Sequence, residues 1–134
     1  MPIPLVNATS DRTRFWHRVG VQRLGTQADG TPVLWRRNPW NYYAYSRLAW
    51  DVNEPTETLL GDFFNGYYRE AATPMRAYYE TLENHLIANN IALGDNLHYA
   101  PSDEAFPVAI NRLLAAHLGE ALQSSHHWLT RERI

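Results

Sequence analysis

WNYYAYSRLAWDVNEPTETLLGDFFNGYYREAATPMRAYY, residues 40–79, holds eleven of the chain's seventeen aromatic residues. Within it Leu59-Leu60, Phe63-Phe64 and Tyr67-Tyr68 recur as adjacent apolar pairs every four residues. A repeat near the helical period with two neighbours apolar at each step predicts a helix with one wide buried stripe. Aromatic side chains bury the most area per residue, so this window is expected to supply most of the core.

Outward from the window the helical pattern continues on both sides. Asn38-Pro39 is a helix start with proline at the first helical position. From Pro39 to Trp50 the chain is apolar nearly all round (Trp40, Tyr42, Tyr43, Ala44, Tyr45, Leu48, Ala49, Trp50), which predicts a helix buried on more than one side. Residues 51–55, DVNEP, break it before the striped helix, which is expected to run to Tyr68. The next helix is expected over 71–88, with Met75, Tyr78, Tyr79, Leu82 and Leu86 on one face. A last long helix is expected to open at Ser102, with Asp103 and Glu104 complementing its dipole and Pro107 tolerated early in it. Its stripe is Phe106, Ala109, Ile110, Leu113, Leu114, His117, Leu118, Ala121 and Leu122.

Toward the N-terminus, residues 1–9 read as a tail. Thr9 or Ser10 can cap a short helix over 11–19, with Phe15, Trp16 and Val19 as its apolar side and Gly20 closing it. VQRLGTQA, residues 21–28, alternates in polarity and reads as one strand, and Asp29-Gly30-Thr31-Pro32 is turn chemistry. One strand cannot satisfy its own edges, so helix, strand, loop and helix suggest a single βα unit of a larger barrel. The expected fold class is therefore mainly α, with that strand as the last βα unit of a TIM-type barrel. The division expected is a tail plus partial βα unit over 1–37 and a helical region over 38–134.

Composition narrows the function classes. The chain has 134 residues, no cysteine and twelve basic residues that are all arginine. No thiolate metal site or disulfide can form, and no run approaches the length of a membrane span. The start, MPIPLVNATS, has neither the basic nor the apolar region of a signal peptide, which leaves the compartment open. Residues 1–38 carry six arginines against two aspartates, while 39–134 carry twelve acids against six arginines. The basic head could meet an acidic saccharide, nucleic acid or an acidic neighbour, or be a solvated helix face; no nucleic-acid-binding signature accompanies it.

No constellation for catalysis emerges. The six histidines, at 17, 85, 98, 117, 126 and 127, lack metal-ligand spacing, and His117 reads as a core histidine. The acids fall at helix starts or beside arginines, and neither a GxSxG motif nor a phosphate-binding loop is present. No catalytic residue, metal or cofactor is expected. Gln27, Asp29, Trp35, Trp40, Asn41 and Tyr42 would gather at the mouth of a barrel if the strand forms, and rings flanked by amide and carboxylate groups are how proteins grip sugars. Asp29 reads more readily as a turn former before Gly30, and Trp40 and Tyr42 as core of a buried helix, while Trp35 stays open between loop and site.

The aromatic window also resembles a known family. Arg47, Leu48, Trp50 and Asp51, then Leu59, Leu60, Phe63, Tyr67 and Tyr68, then Ala71, Ala72, Met75, Tyr78 and Tyr79 resemble three successive elements of the C-terminal part of the family called domain of unknown function 4838. That family is similar to the α-glucuronidases of glycoside hydrolase family 67. The resemblance is good over 38–84 and implies the helical C-terminal portion of a carbohydrate-active protein, non-catalytic by itself. It implies a uronic-acid-containing oligo- or polysaccharide as partner, together with the missing barrel portion or another protein, and would allow a secreted or periplasmic parent. Arg69 stands where the family usually has glycine, which implies a tighter or partly helical link. An independent helical module that binds another protein is the alternative expectation.

Overall fold

A computed structural model describes residues 6–23, 39–91 and 106–134, and all of its regular structure is helical. The elements are α1 (Val6–Arg18), α2 (Pro39–Trp50), α3 (Thr56–Phe63), a π turn (Phe64–Tyr68), a 3-10 turn (Arg69–Ala71), α4 (Ala72–Ala88), α5 (Val108–Ser124) and α6 (Trp128–Arg131). The mainly α expectation is met. The strand is not: residues 21–23 carry neither strand nor helix, and the rest of it, from Leu24 on, lies outside the described residues. Nothing described supports a barrel unit.

The core is the aromatic window. Trp40, Leu59, Leu60, Phe63, Phe64, Tyr68, Met75, Tyr79, Leu82 and Leu86 are all buried in one cluster. Trp40 packs edge-on to Phe63 at 5.3 Å and stacks over Phe64 at 6.3 Å, while Phe64 meets Tyr79 edge-on at 5.4 Å. Such pairs contribute about 0.5–1.5 kcal/mol each beyond their buried area. The Tyr68 and Tyr79 hydroxyls bond one another at 2.9 Å inside this cluster. Burial pushes both phenols up, Tyr79 to about 12, so they stay neutral donors and acceptors.

The π turn follows from the four-residue spacing of the apolar pairs. Four residues overshoot one α-helical turn by about 40°, so a third pair would rotate off the core in an uninterrupted α-helix. Widening to i→i+5 bonding over Phe64–Tyr68 turns the chain less per residue and returns Tyr68 to the interior beside Phe64. The link to α4 then passes through Arg69 at φ 51°, ψ −117°, a conformation that glycine adopts freely and other residues do not. The link is a 3-10 turn, and arginine occupies a glycine-like backbone position in it.

α1 differs most from its expected form. It begins at Val6, so residues 6–9 are helix rather than tail, and Thr9 and Ser10 are buried within it instead of capping it. Phe15 and Val19, expected inside, are exposed; the inward face is the hydroxyl row Thr9, Ser10 and Thr13. The cap comes from far away in sequence. Glu83 of α4, 1% exposed, accepts from the Asn7 and Ala8 backbone amides at 3.0 Å and from Asn7 Nδ2 at 3.1 Å. A buried carboxylate on orphan N–H groups at the positive end of a helix is a charge-assisted tie that local periodicity cannot foresee. Thr9 Oγ1 adds a bond to Asn41 Oδ1 at 3.0 Å, and Arg14 donates to Thr56 Oγ1 at 2.8 Å and to the Val52 and Glu54 carbonyls. The expected boundary at 37/38 falls outside the described residues, and these bonds join α1 to the helices beyond it.

Two further boundaries move. Pro107 is extended (φ −60°, ψ 159°) and α5 starts at Val108, because a proline that cannot donate and does not adopt helical ψ marks the entry, not the first turn. Of its expected stripe only Leu114 and Ala121 are fully buried, while Leu113 and Leu122 are exposed. Trp50, expected in the core, is 94% exposed at the end of α2. One side of that helix therefore faces solvent.

Candidate functional site

α2, the π turn and the C-terminal residues enclose a groove of about 420 Å³, lined by Pro39, Tyr42, Tyr43, Ser46, Asp62, Phe63, Gly66, Tyr67 and Arg133. Its volume falls in the range typical of small-molecule sites, roughly 300–1,000 Å³. Each wall has a structural cause. Tyr42, Tyr43 and Ser46 come from the outer side of α2, whose opposite side buries Trp40, Ala44 and Leu48. Phe63 forms the floor, stacked on Tyr67 at 5.3 Å and tilted against Tyr43 at 5.4 Å. Gly66 lies on the π turn with open space where a Cβ would stand, and this keeps the groove clear between Asp62 and Tyr67.

The polar groups at the rim are held in place. Arg47 donates to the Tyr43 hydroxyl at 2.7 Å, pairs with Glu54 and reaches Asp62 Oδ2 at 3.5 Å. Burial raises the Tyr43 phenol against the opposing pull of Arg47, so it remains a protonated donor. Arg133 lies over the Tyr67 ring at 4.3 Å and donates Nη1 to the Tyr67 carbonyl at 2.6 Å, one of the acceptors left open where the π turn ends. Among the described residues no carboxylate pairs with Arg133.

Among the described residues the groove is a platform of rings with the Arg133 guanidinium, the Asp62 carboxylate, and the Tyr43 and Ser46 hydroxyls held by their own bonds. Among the described lining residues Asp62 is the carboxylate, whereas glycoside hydrolysis uses a pair. A larger cleft of about 460 Å³ lies between the ends of α1 and α2, lined by Thr13, His17, Gly20, Val21, Gln22, Leu48, Ala49 and Val52. Among the described residues its polar lining is Thr13, His17 and Gln22, with no phenyl, phenol or indole ring and no carboxylate or guanidinium side chain.

Of the residues singled out from the sequence, Gln27, Asp29 and Trp35 lie outside the described residues. Trp40 is 0% exposed and forms the core beneath the groove, with no ring face left for a sugar. Asn41 is committed to Thr9 and ties α2 to α1. Tyr42, the remaining member of that cluster and expected as core, is half-buried and lines the groove with Tyr43 and the distant Tyr67 and Arg133. Phe63 and Tyr67 were visible in sequence only as core stripe. Nothing in sequence connected Arg133 to them, because it arrives through a tertiary turn. His117 is half-buried and meets Thr81 Oγ1 at 3.3 Å, and no cluster of three metal-ligating side chains occurs among the described residues. No described helix is long and apolar enough to cross a membrane. No family model, curated protein or solved structure matches the chain.

Proposed function

We propose that the chain is a non-catalytic saccharide-binding module that takes an acidic sugar in the groove between α2 and the π turn. The single observation that carries this reading is the Arg133 guanidinium set over the Tyr67 ring and bonded to its carbonyl, beside three further aromatic side chains. Aromatic faces suit the CH faces of a pyranose, and a guanidinium suits a uronate carboxylate, which it can bind with two parallel bonds. Asp62, Ser46 and the Tyr43 hydroxyl are placed to orient ring hydroxyls. The resemblance of the aromatic window to the C-terminal portion of a carbohydrate-active family supports the same reading, with the chemistry of any parent enzyme lying outside this chain.

Calorimetric titration of the whole chain tests it. A uronic-acid tetrasaccharide is expected to bind, and Arg133→Gln to weaken it by roughly tenfold, the loss of one charge-assisted contact of about 1.4 kcal/mol. No binding of acidic or neutral oligosaccharide to the wild type removes the proposal. The alternative, a protein-interaction module, draws on the 94% exposure of Trp50 next to the cleft residue Ala49. It requires that Trp50→Ser abolish a concentration-dependent association that the wild type shows in sedimentation; a monomeric wild type excludes self-association by this face.

A further inference from the structure

The C-terminal residues are fastened to the π and 3-10 turns at two points, and both concern the groove. Glu70 Oε1 accepts from the backbone amides of His126 and His127, each at 3.0 Å. Beyond them His127 Nδ1 accepts from the Leu129 amide at 3.2 Å, the chain turns through α6, and Arg133 N reaches the Thr130 carbonyl at 3.0 Å. The Arg133 side chain then returns to the Tyr67 carbonyl. Tyr67 and Glu70 sit on the same short stretch of backbone, so these bonds close a ring: Glu70 fixes where the terminal turn begins and Tyr67 where its guanidinium ends.

Glu70 owes its aim to the residue before it. Arg69, at φ 51°, reverses the chain between the π turn and α4 and brings Glu70 to the terminal turn. Backbone strain of this kind persists where the surroundings hold it, and such places cluster at ligand-binding sites. Glu70 itself is exposed and touches no lining residue other than through this turn.

We propose that Glu70 is a positioning residue for the groove: by clasping the His126 and His127 amides it sets Arg133 over Tyr67, and with it the groove's preference for an anionic sugar. The ligand in this statement rests on the saccharide reading above, whereas the placement of Arg133 does not. The two are separated by measuring Glu70→Gln and Arg133→Gln in the full chain, first without ligand and then with a uronic-acid tetrasaccharide and its neutral glucose counterpart. The amide keeps the shape of the carboxylate and loses the charge that strengthens both bonds.

In the ligand-free protein, Glu70→Gln is expected to move the Tyr67 ring resonances in the same direction as Arg133→Gln. It is expected to weaken the acidic tetrasaccharide by about fivefold, a lesser effect than removal of the charge itself, while the neutral one changes less than about twofold. Unmoved Tyr67 resonances, or an equal loss for both sugars, overturn the proposal and leave Glu70 a merely structural cap. If Tyr67 responds but the wild type takes neither sugar, the positioning role stands and the saccharide reading falls. Glu70→Asp, which keeps the charge on a shorter arm, gives the same readings should Glu70→Gln fail to fold.

Discussion

Arg69 concentrates the local physics of the molecule. Its φ of 51° with ψ of −117° is a glycine conformation occupied by a residue with a long charged side chain. Holding a non-glycine residue there costs about 1–3 kcal/mol, and glycine would give back part of that in chain entropy, about 0.5–1 kcal/mol. Arg69→Gly is therefore expected to stabilise the fold by about 1 kcal/mol, seen as a higher denaturation midpoint with an unchanged slope. A lower midpoint would mean that the Arg69 side chain contributes more than its backbone costs. What the sequence lacked was the torsion angle, since arginine reads as an ordinary helix former.

Among the elements, α1 takes the cap of its first turn from one buried carboxylate far along the chain, while Arg14 ties its later turns to the start of α3 and the residues before it. Glu83 satisfies the first amides of α1 from the interior of α4, with no arginine beside it in those bonds. Replacement by glutamine leaves one acceptor oxygen and turns an N–H₂ toward N–H groups. Glu83→Gln is expected to cost about 3 kcal/mol, at the upper end for hydrogen bonds to a charged group. Amide exchange should accelerate across Val6–Arg18 ahead of the rest of the chain; uniform acceleration would show that α1 docking is not the weak point. The terminal turn has a comparable tie in Glu70, whose carboxyl the His127 amide, its own backbone amide and the His126 amide hold down at about 2. A depressed carboxyl stabilises the folded state above its ordinary value, near 4.5, and loses that contribution as pH falls toward 2. The His126 and His127 amides are thus expected to lose protection between pH 4.5 and 2 in the wild type. In Glu70→Gln this acid step should be missing, and an identical profile in both proteins would discount the clasp.

These elements also show how far pattern alone carries. α2 and α4 fall where apolar periodicity and Asn38-Pro39 placed them, because their faces are decided by local hydrophobic spacing. The stripe from Leu59 to Tyr68 was legible as helix, and its strict spacing of four held the signal for the π turn. α1 was misread because polar side chains face inward, recruited by Glu83 and Arg14 bonds to residues far along the chain. Apolar periodicity places Phe15 and Val19 inside on local grounds; tertiary hydrogen bonds decide otherwise. The groove was half legible for a similar reason. Its rings stood in the aromatic window, but the cation that gives it chemical character comes from the last turn of the chain.

At the scale of the whole molecule, one aromatic window serves two purposes. Its inward rings, Trp40, Phe64, Tyr68 and Tyr79, make the core, and its outward ones, Tyr42, Tyr43 and Tyr67, make the groove above it. Phe63 lies between, buried by the core and forming the groove floor. A site built directly on the core is pre-formed, so binding needs little reordering and its affinity is spent on contacts. Gly66 lines the groove and a Cβ added there would meet nothing within 4 Å, so a larger side chain can grow from it toward the groove without displacing core atoms at its root. The central claim is that this groove is where an acidic saccharide binds. Aromatic carbon NMR of the full chain, titrated with a uronic-acid tetrasaccharide, tests that claim most directly. The account predicts saturable shifts of the Tyr42, Tyr43 and Tyr67 rings, abolished in Gly66→Leu at an unchanged melting temperature, with Trp50 and Trp128 silent. Shifts confined to Trp50 or Trp128, or a Gly66→Leu protein that binds as well as the wild type, would contradict it.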